Sequence, residues 1–129
     1  MLKLEYLPDG SDDCPLIRLY GFDAGDVVAL RRLCLALAEG RVREASLDSQ
    51  RWAHAIGGCR LTLRAGAANR GVKTPVAGSP FVMEYAREGE GWLEVADKLA
   101  PFVADRPGGF QWLTDEGDVK VLISWSGLW

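Results

Sequence analysis

Histidine occurs once, at His54, and the three cysteines, Cys14, Cys34 and Cys59, stand at irregular intervals. No two cysteines lie at the two- to four-residue spacing of a zinc knuckle, so a metal centre of that type is excluded. An odd, scattered set of thiols also makes no disulfide framework and fits a reducing, cytoplasmic compartment. No basic stretch followed by an apolar one opens the chain, so no signal peptide is expected. The longest apolar run, around 33–38, is far too short to span a bilayer, which excludes a helical membrane anchor. No cofactor motif is present either. The glycines of Gly66-Ala67-Ala68-Asn69-Arg70-Gly71-Val72-Lys73-Thr74 only superficially approach a phosphate loop, because Val72 separates Gly71 from Lys73 and Pro75 follows.

What is there is a core. Of 129 residues 48% are hydrophobic and five are Trp, enough for one folded domain spanning 1–129. Two stretches repeat one apolar pattern. Val27, Leu30, Cys34 and Leu37 carry the i, i+3, i+7, i+10 spacing of a buried helix face, and 65 positions on stand Trp92, Val95, Leu99 and Phe102. Upstream, Leu16, Ile17 and Tyr20 land on Phe81, Val82 and Tyr85, and Leu47 lands on Trp112. Over 16–48 only Tyr20/Tyr85 and Arg41/Arg106 are identical, so the echo is one of pattern.

The first helix has firm boundaries. Asp23 is its N-cap with Asp26 three residues on, Phe22 and Val27 form a hydrophobic staple, and Gly40 closes it. The second begins near Glu90 and should kink or end at Pro101, which lacks an N–H and crowds the carbonyl of Asp97. Strands are expected at 2–7, 16–20, 43–47, 59–65, 81–87, 110–113 and 119–126, with a turn of helix at 49–56. The clearest is Cys59 to Ala65, with Cys59, Leu61 and Leu63 inward and Arg60, Thr62 and Arg64 outward. The resulting expectation is an α+β fold: a mainly antiparallel sheet of about seven strands with two helices on one face, built from a duplicated β-α-β-β unit at 16–66 and 81–126. The Gly- and Pro-rich 66–80 segment joins the units.

Charge is segregated. Residues 1–26 hold two basic and six acidic side chains, 27–75 nine and three, and 76–129 four and nine. The basic middle points to an acidic partner, and the net charge of −3 argues against nucleic acid. Arg60, Thr62 and Arg64 share one strand face, with Arg70 and Lys73 in the adjoining loop; such a group can grip carboxylates. The competing account is structural, with Glu84 or Glu44 opposite the arginines as cross-strand pairs.

Two other functions fit parts of the chain. His54 and Cys59 lie close enough in sequence for the ring to activate the thiol of a thiol-dependent enzyme, although no third group orients the base. Trp112 and Trp129 need cover, which a homodimer would supply. The acidic pairs Asp12-Asp13 and Asp115-Glu116 sit in turn-like runs and read as solvated. The best reading is a small cytoplasmic protein-interaction module, without cofactor or metal, whose Arg face receives an acidic partner.

Overall fold

A computed structural model describes residues 1–11, 14–73, 82–103, 109–114 and 116–128. The chain begins with an antiparallel hairpin of β1 (Leu2–Ser11) and β2 (Cys14–Tyr20), in which Leu4 faces Leu19 and Tyr6 faces Ile17. Helix α1 (Ala24–Ala38) follows. Its N-terminus is a reciprocal capping box: Asp26 N–H donates to Asp23 Oδ1 at 2.9 Å and Asp23 N–H donates to Asp26 Oδ2 at 3.1 Å. Its C-terminus is a Schellman motif. Gly40 sits at φ 74°, its N–H donates to Leu37 O, and Arg41 N–H donates to Ala36 O.

Three short segments, β3 (Glu44–Ser46), β4 (Ala53–Ala55) and the longer β5 (Arg60–Ala65), come next, with 3₁₀ turns at Leu47–Ser49 and Ile56–Gly58. The expected helical turn at 49–56 is therefore replaced by an extended β4 between two tight turns. The junction contributes a two-residue strand, β6 (Gly71–Val72), and β7 (Val82–Arg87) follows it. Residues 74–81, including Phe81, lie outside the described set, as do Asp12, Asp13, Asp115 and Trp129. Helix α2 (Gly89–Val103) then leads to β8 (Phe110–Thr114) and β9 (Lys120–Ser124). Pro101 does not end α2, which runs two residues further. Phe102 is 6% exposed and meets Phe22 edge-on at 6.1 Å, so the last turn is held by burial despite the lost hydrogen bond.

The single, mainly antiparallel sheet of about seven strands is corrected. Among the described residues there are two mixed sheets: sheet A in the order β4-β1-β2-β9-β8 and sheet B in the order β3-β5-β7-β6. Three pairs are parallel: β1 with β4, β2 with β9, and β5 with β7. The reason for the error is that alternation identifies a strand and its buried face but not its partner. Hairpins are local, whereas β2 and β9 pair Ile17 with Val121 from opposite ends of the chain. One core joins both sheets and both helices, and the two apolar stripes seen in sequence are buried throughout.

The echo holds for the helices and slips in the strands. The limits of α1 and α2 are 65 residues apart at both ends. The inward residues of β2 are Ile17 and Leu19, and those of β7 are Met83 and Tyr85, one position later than a spacing of 65 requires. A shift of one residue reverses a strand's faces. Tyr85 is accordingly buried at 2% while Tyr20 is half-exposed and donates to Glu5 Oε1. Leu47 lies in a 3₁₀ turn and Trp112 in β8, so that pair does not correspond.

Among the described residues a β-bridge from Val72 to Val119 joins the sheets. Asp118 N–H and Val119 N–H both donate to Val72 O, at 2.8 and 3.0 Å. Close approach here depends on Gly71, at φ 65°, where a Cβ would lie 2.2 Å from Glu116 O. Gly71→Ala should therefore lower stability by clearly more than the ~1–2 kcal/mol of a left-handed alanine. Gly40→Ala, at φ 74° with no atom within 4 Å of the new Cβ, should cost only that amount. Paired urea titrations check the difference.

Candidate functional site

Strand β5 lies inside sheet B, with Leu61 and Leu63 in the core and Arg60, Thr62 and Arg64 on the outer face. Cross-strand register puts Glu44 opposite Arg64 on β3, Val82 opposite Arg60 and Glu84 opposite Thr62 on β7. The arginines divide into two kinds. Arg64 Nη2 lies 2.9 Å from Glu44 Oε2 and 3.3 Å from Glu84 Oε2, so both carboxylates anticipated as structural partners are engaged by this one side chain. All three are about half-exposed, and such pairs contribute ~0–1 kcal/mol. Arg60 is exposed and has no ion pair among the described residues.

The loop after β5 brings Arg70 and Lys73 to the same side. Together with Thr62, Glu84 and the apolar Val82 and Met83, they line a cavity of about 390 Å³. Arg60 is not part of this lining; it lies cross-strand from Val82, which is. Thr62, Arg70 and Lys73 are thus gathered at one concavity, and Arg64 is drawn aside into a carboxylate clamp. Guanidinium and ammonium groups without an internal counter-ion can bind an external carboxylate by charge-assisted hydrogen bonds.

Part of the outer face of sheet A is closed, whereas Trp112 and Lys120 line a cavity of about 270 Å³ at its β8 edge. Arg18 is held by Glu5, with Nη2 to Oε1 at 2.6 Å, lies 4.2 Å from the Tyr20 ring centre, and donates to Gly127 O at 3.0 Å. Ser124 Oγ donates to Leu128 O at 2.6 Å, and Leu122 and Ser124 are fully buried. The last residues of the described chain therefore fold over β9. Trp112 is half-buried with the Lys120 ammonium 5.4 Å from its ring centre, and Trp125 packs on Phe22.

The thiol reading meets an unsuitable environment. Cys59 is 1% exposed, and burial pushes its thiol up from 9.0 to about 11, with Asp48 and Glu5 adding to the rise. A nucleophilic thiolate needs exposure and a cationic neighbour, and Cys59 has carboxylates instead. His54 is exposed on β4, opposite Lys3. Cys34 is raised further, to about 12, by burial in α1 against a smaller opposing effect of Arg31.

A polar cluster not anticipated from sequence lies at the end of β7. Arg87 is 2% exposed, and its Nη1 donates to Leu113 O at 3.4 Å while Nη2 reaches Glu94 Oε2 at 3.2 Å and Glu116 Oε1 at 3.4 Å. Tyr85 Oη donates to the same Leu113 carbonyl at 3.2 Å, and burial raises its phenol well above the ordinary value against the pull of Arg87. Strand alternation carried the signal: Met83, Tyr85 and Arg87 fall on one face, which places a guanidinium inward. With α2, β8 and the turn at 116 all tied to it, the group acts as a clamp.

Among the described residues no helix is long and apolar enough to cross a membrane. Compared with family models, curated proteins and solved structures, the chain matches none. Its function therefore rests on its own geometry.

Two outcomes follow from the buried polar groups. Arg87→Ala takes one buried donor from Leu113 O, while Glu94 and Glu116 stay in contact with solvent, and should cost about 1–3 kcal/mol in urea unfolding. The Cys34 thiol keeps its proton in the folded chain up to about pH 12, whereas an unfolded thiol loses it near 9.0. Its contribution is complete below pH 9 and is lost as pH rises through the folded value. The stability gap between the parent and Cys34→Ala should accordingly narrow above pH 9, and a constant gap from pH 8 to 11 would contradict this.

Proposed function

We propose that the chain is a small protein-interaction module whose open basic face, the outer side of sheet B, docks an acidic surface of a partner protein. The observation that carries this reading is the contrast between the faces of the two sheets. The middle of sheet A is covered by its own ion pair and the residues near Gly127, while sheet B leaves Arg60, Arg70 and Lys73 without ion pairs among the described residues, the last two lining a cavity of about 390 Å³. A protein partner is favoured over nucleic acid by the overall charge of −3 and by the two glutamates on the same face. Scattered, buried thiols fit a cytoplasmic setting.

The same contrast gives meaning to the repeated helices. We infer that the chain is a duplication whose unit is β-β-α-β-β, one strand longer at its front than the expected β-α-β-β. In this reading β1 and β2 answer to β6 and β7, and β3 and β5 answer to β8 and β9. The pairing senses support it. In each sheet an antiparallel hairpin partner, a parallel central pair and a second antiparallel neighbour recur in order. Arg31 Nε donates to Ala96 O, so two positions 65 apart touch where the helices cross. Two related elements meet their own counterparts only near the axis relating them. On this basis Arg60, Thr62 and Arg64 answer to Lys120, Leu122 and Ser124, and the basic face belongs to one half alone.

The experiment is affinity capture with the intact chain as bait, followed by identification of what is retained. Arg60→Glu combined with Arg70→Glu should weaken a specifically retained acidic protein at least about tenfold. Rising salt should weaken the parent complex. Full retention by the doubly substituted chain, with unchanged circular dichroism, would refute the reading.

A further inference from the structure

The helix pair carries a second candidate surface, independent of the basic face. The C-terminus of α1 and the N-terminus of α2 converge so closely that a Cβ on Gly89 would lie 2.9 Å from Ala38 O. Beside this contact the chain leaves a groove of about 780 Å³, walled by Leu35, Ala38 and Leu93 and rimmed by Glu39, Glu88 and Glu90. Leu93 is 46% exposed, one of the largest apolar exposures within a regular element. Its position on α2 is outside the buried stripe of Trp92, Val95, Leu99 and Phe102, so the core does not account for it.

The ionised side chains that rim the groove are all carboxylates, and they outweigh the positive dipole end of α2 beside them. Glu39 is paired with the neighbouring Arg41 at 2.6 Å, but Glu88 and Glu90 have no ion pair among the described residues. The last turn of α1 contains no basic residue to offset the negative end of its dipole. An apolar floor inside a carboxylate rim complements a side that is apolar with basic flanks. Amphipathic helices present that arrangement, laying anchors at i, i+3 and i+4 into a groove while lysines or arginines reach its edges. From this complementarity we infer that the groove between α1 and α2 receives a basic amphipathic helix of a partner protein. It shares no lining residue with the cavity at Arg70 and Lys73, so neither proposal depends on the other.

A fluorescent synthetic peptide with leucine and lysine at helical spacing, titrated against the intact chain by anisotropy, tests this. A leucine and glutamate peptide of the same spacing serves as control. The basic peptide should bind saturably, and the acidic one at least about tenfold more weakly. Leu93→Ser changes no charge and sits at an exposed position; it should weaken the basic peptide about tenfold by removing one apolar anchor. Glu88→Lys with Glu90→Lys should weaken it further and flatten its salt dependence. Arg60→Glu with Arg70→Glu should leave this binding intact while weakening capture of the acidic partner at least about tenfold, which separates the two surfaces. Absence of binding, equal affinity for both peptides, or full affinity in Leu93→Ser would each overturn the assignment.

Discussion

The structure depends on two parallel strand pairs that cross-link the halves of the chain. The second strand of the first half, β2, pairs with the last strand of the second, β9, and β5 pairs in the same way with β7. Removing either half would strip each sheet of a central neighbour and leave unpaired backbone groups beside the core. The helices lie across the same division: α1 and α2 pack on one another, and their apolar stripes belong to one core cluster. Both halves contribute to one core. The junction is thus part of the architecture, since Val72 within it pairs with both Tyr85 and Val119 and holds the sheets together.

This arrangement also decides what is left for binding. Each sheet has an outer face turned from the shared core, and the two faces meet different fates. In sheet A the Glu5–Arg18 pair, the Tyr20 ring and the residues near Gly127 close over Leu122 and Ser124. On the outer face of sheet B, among the described residues, Arg64 finds carboxylates, and the cations supplied by the loop after β5 line a cavity without ion pairs. The tight Arg87 clamp lies nearby, fixing the end of β7 and the turn at Glu116 against which Gly71 packs.

Much of the helical structure was legible from local rules. The capping box at Asp23 and Asp26, the glycine stop at Gly40 and both buried stripes follow from interactions within a few turns. Arg64 was legible as well, since a cross-strand carboxylate at Glu44 or Glu84 is an ordinary sheet pairing. Other features needed longer reach. The 3₁₀ turns flanking β4 contain no periodicity to detect. Pro101 does not stop α2 at once, because Phe102 is buried against Phe22 in the turn that follows. The buried position of Arg87 was present in the alternation but concealed by its charge, which by itself favours the surface.

Sequence alone determined the elements, their buried faces and the segregation of charge, because periodicity and capping act over distances of one or two turns. Tertiary structure decided which strands are neighbours, that there are two mixed sheets, and which arginines retain free charge. Those outcomes come from contacts between residues far apart in the chain. Arg60 and Arg64 are alike on the strand that bears them; only the carboxylates brought in by β3 and β7 make one a structural ion pair and leave the other available.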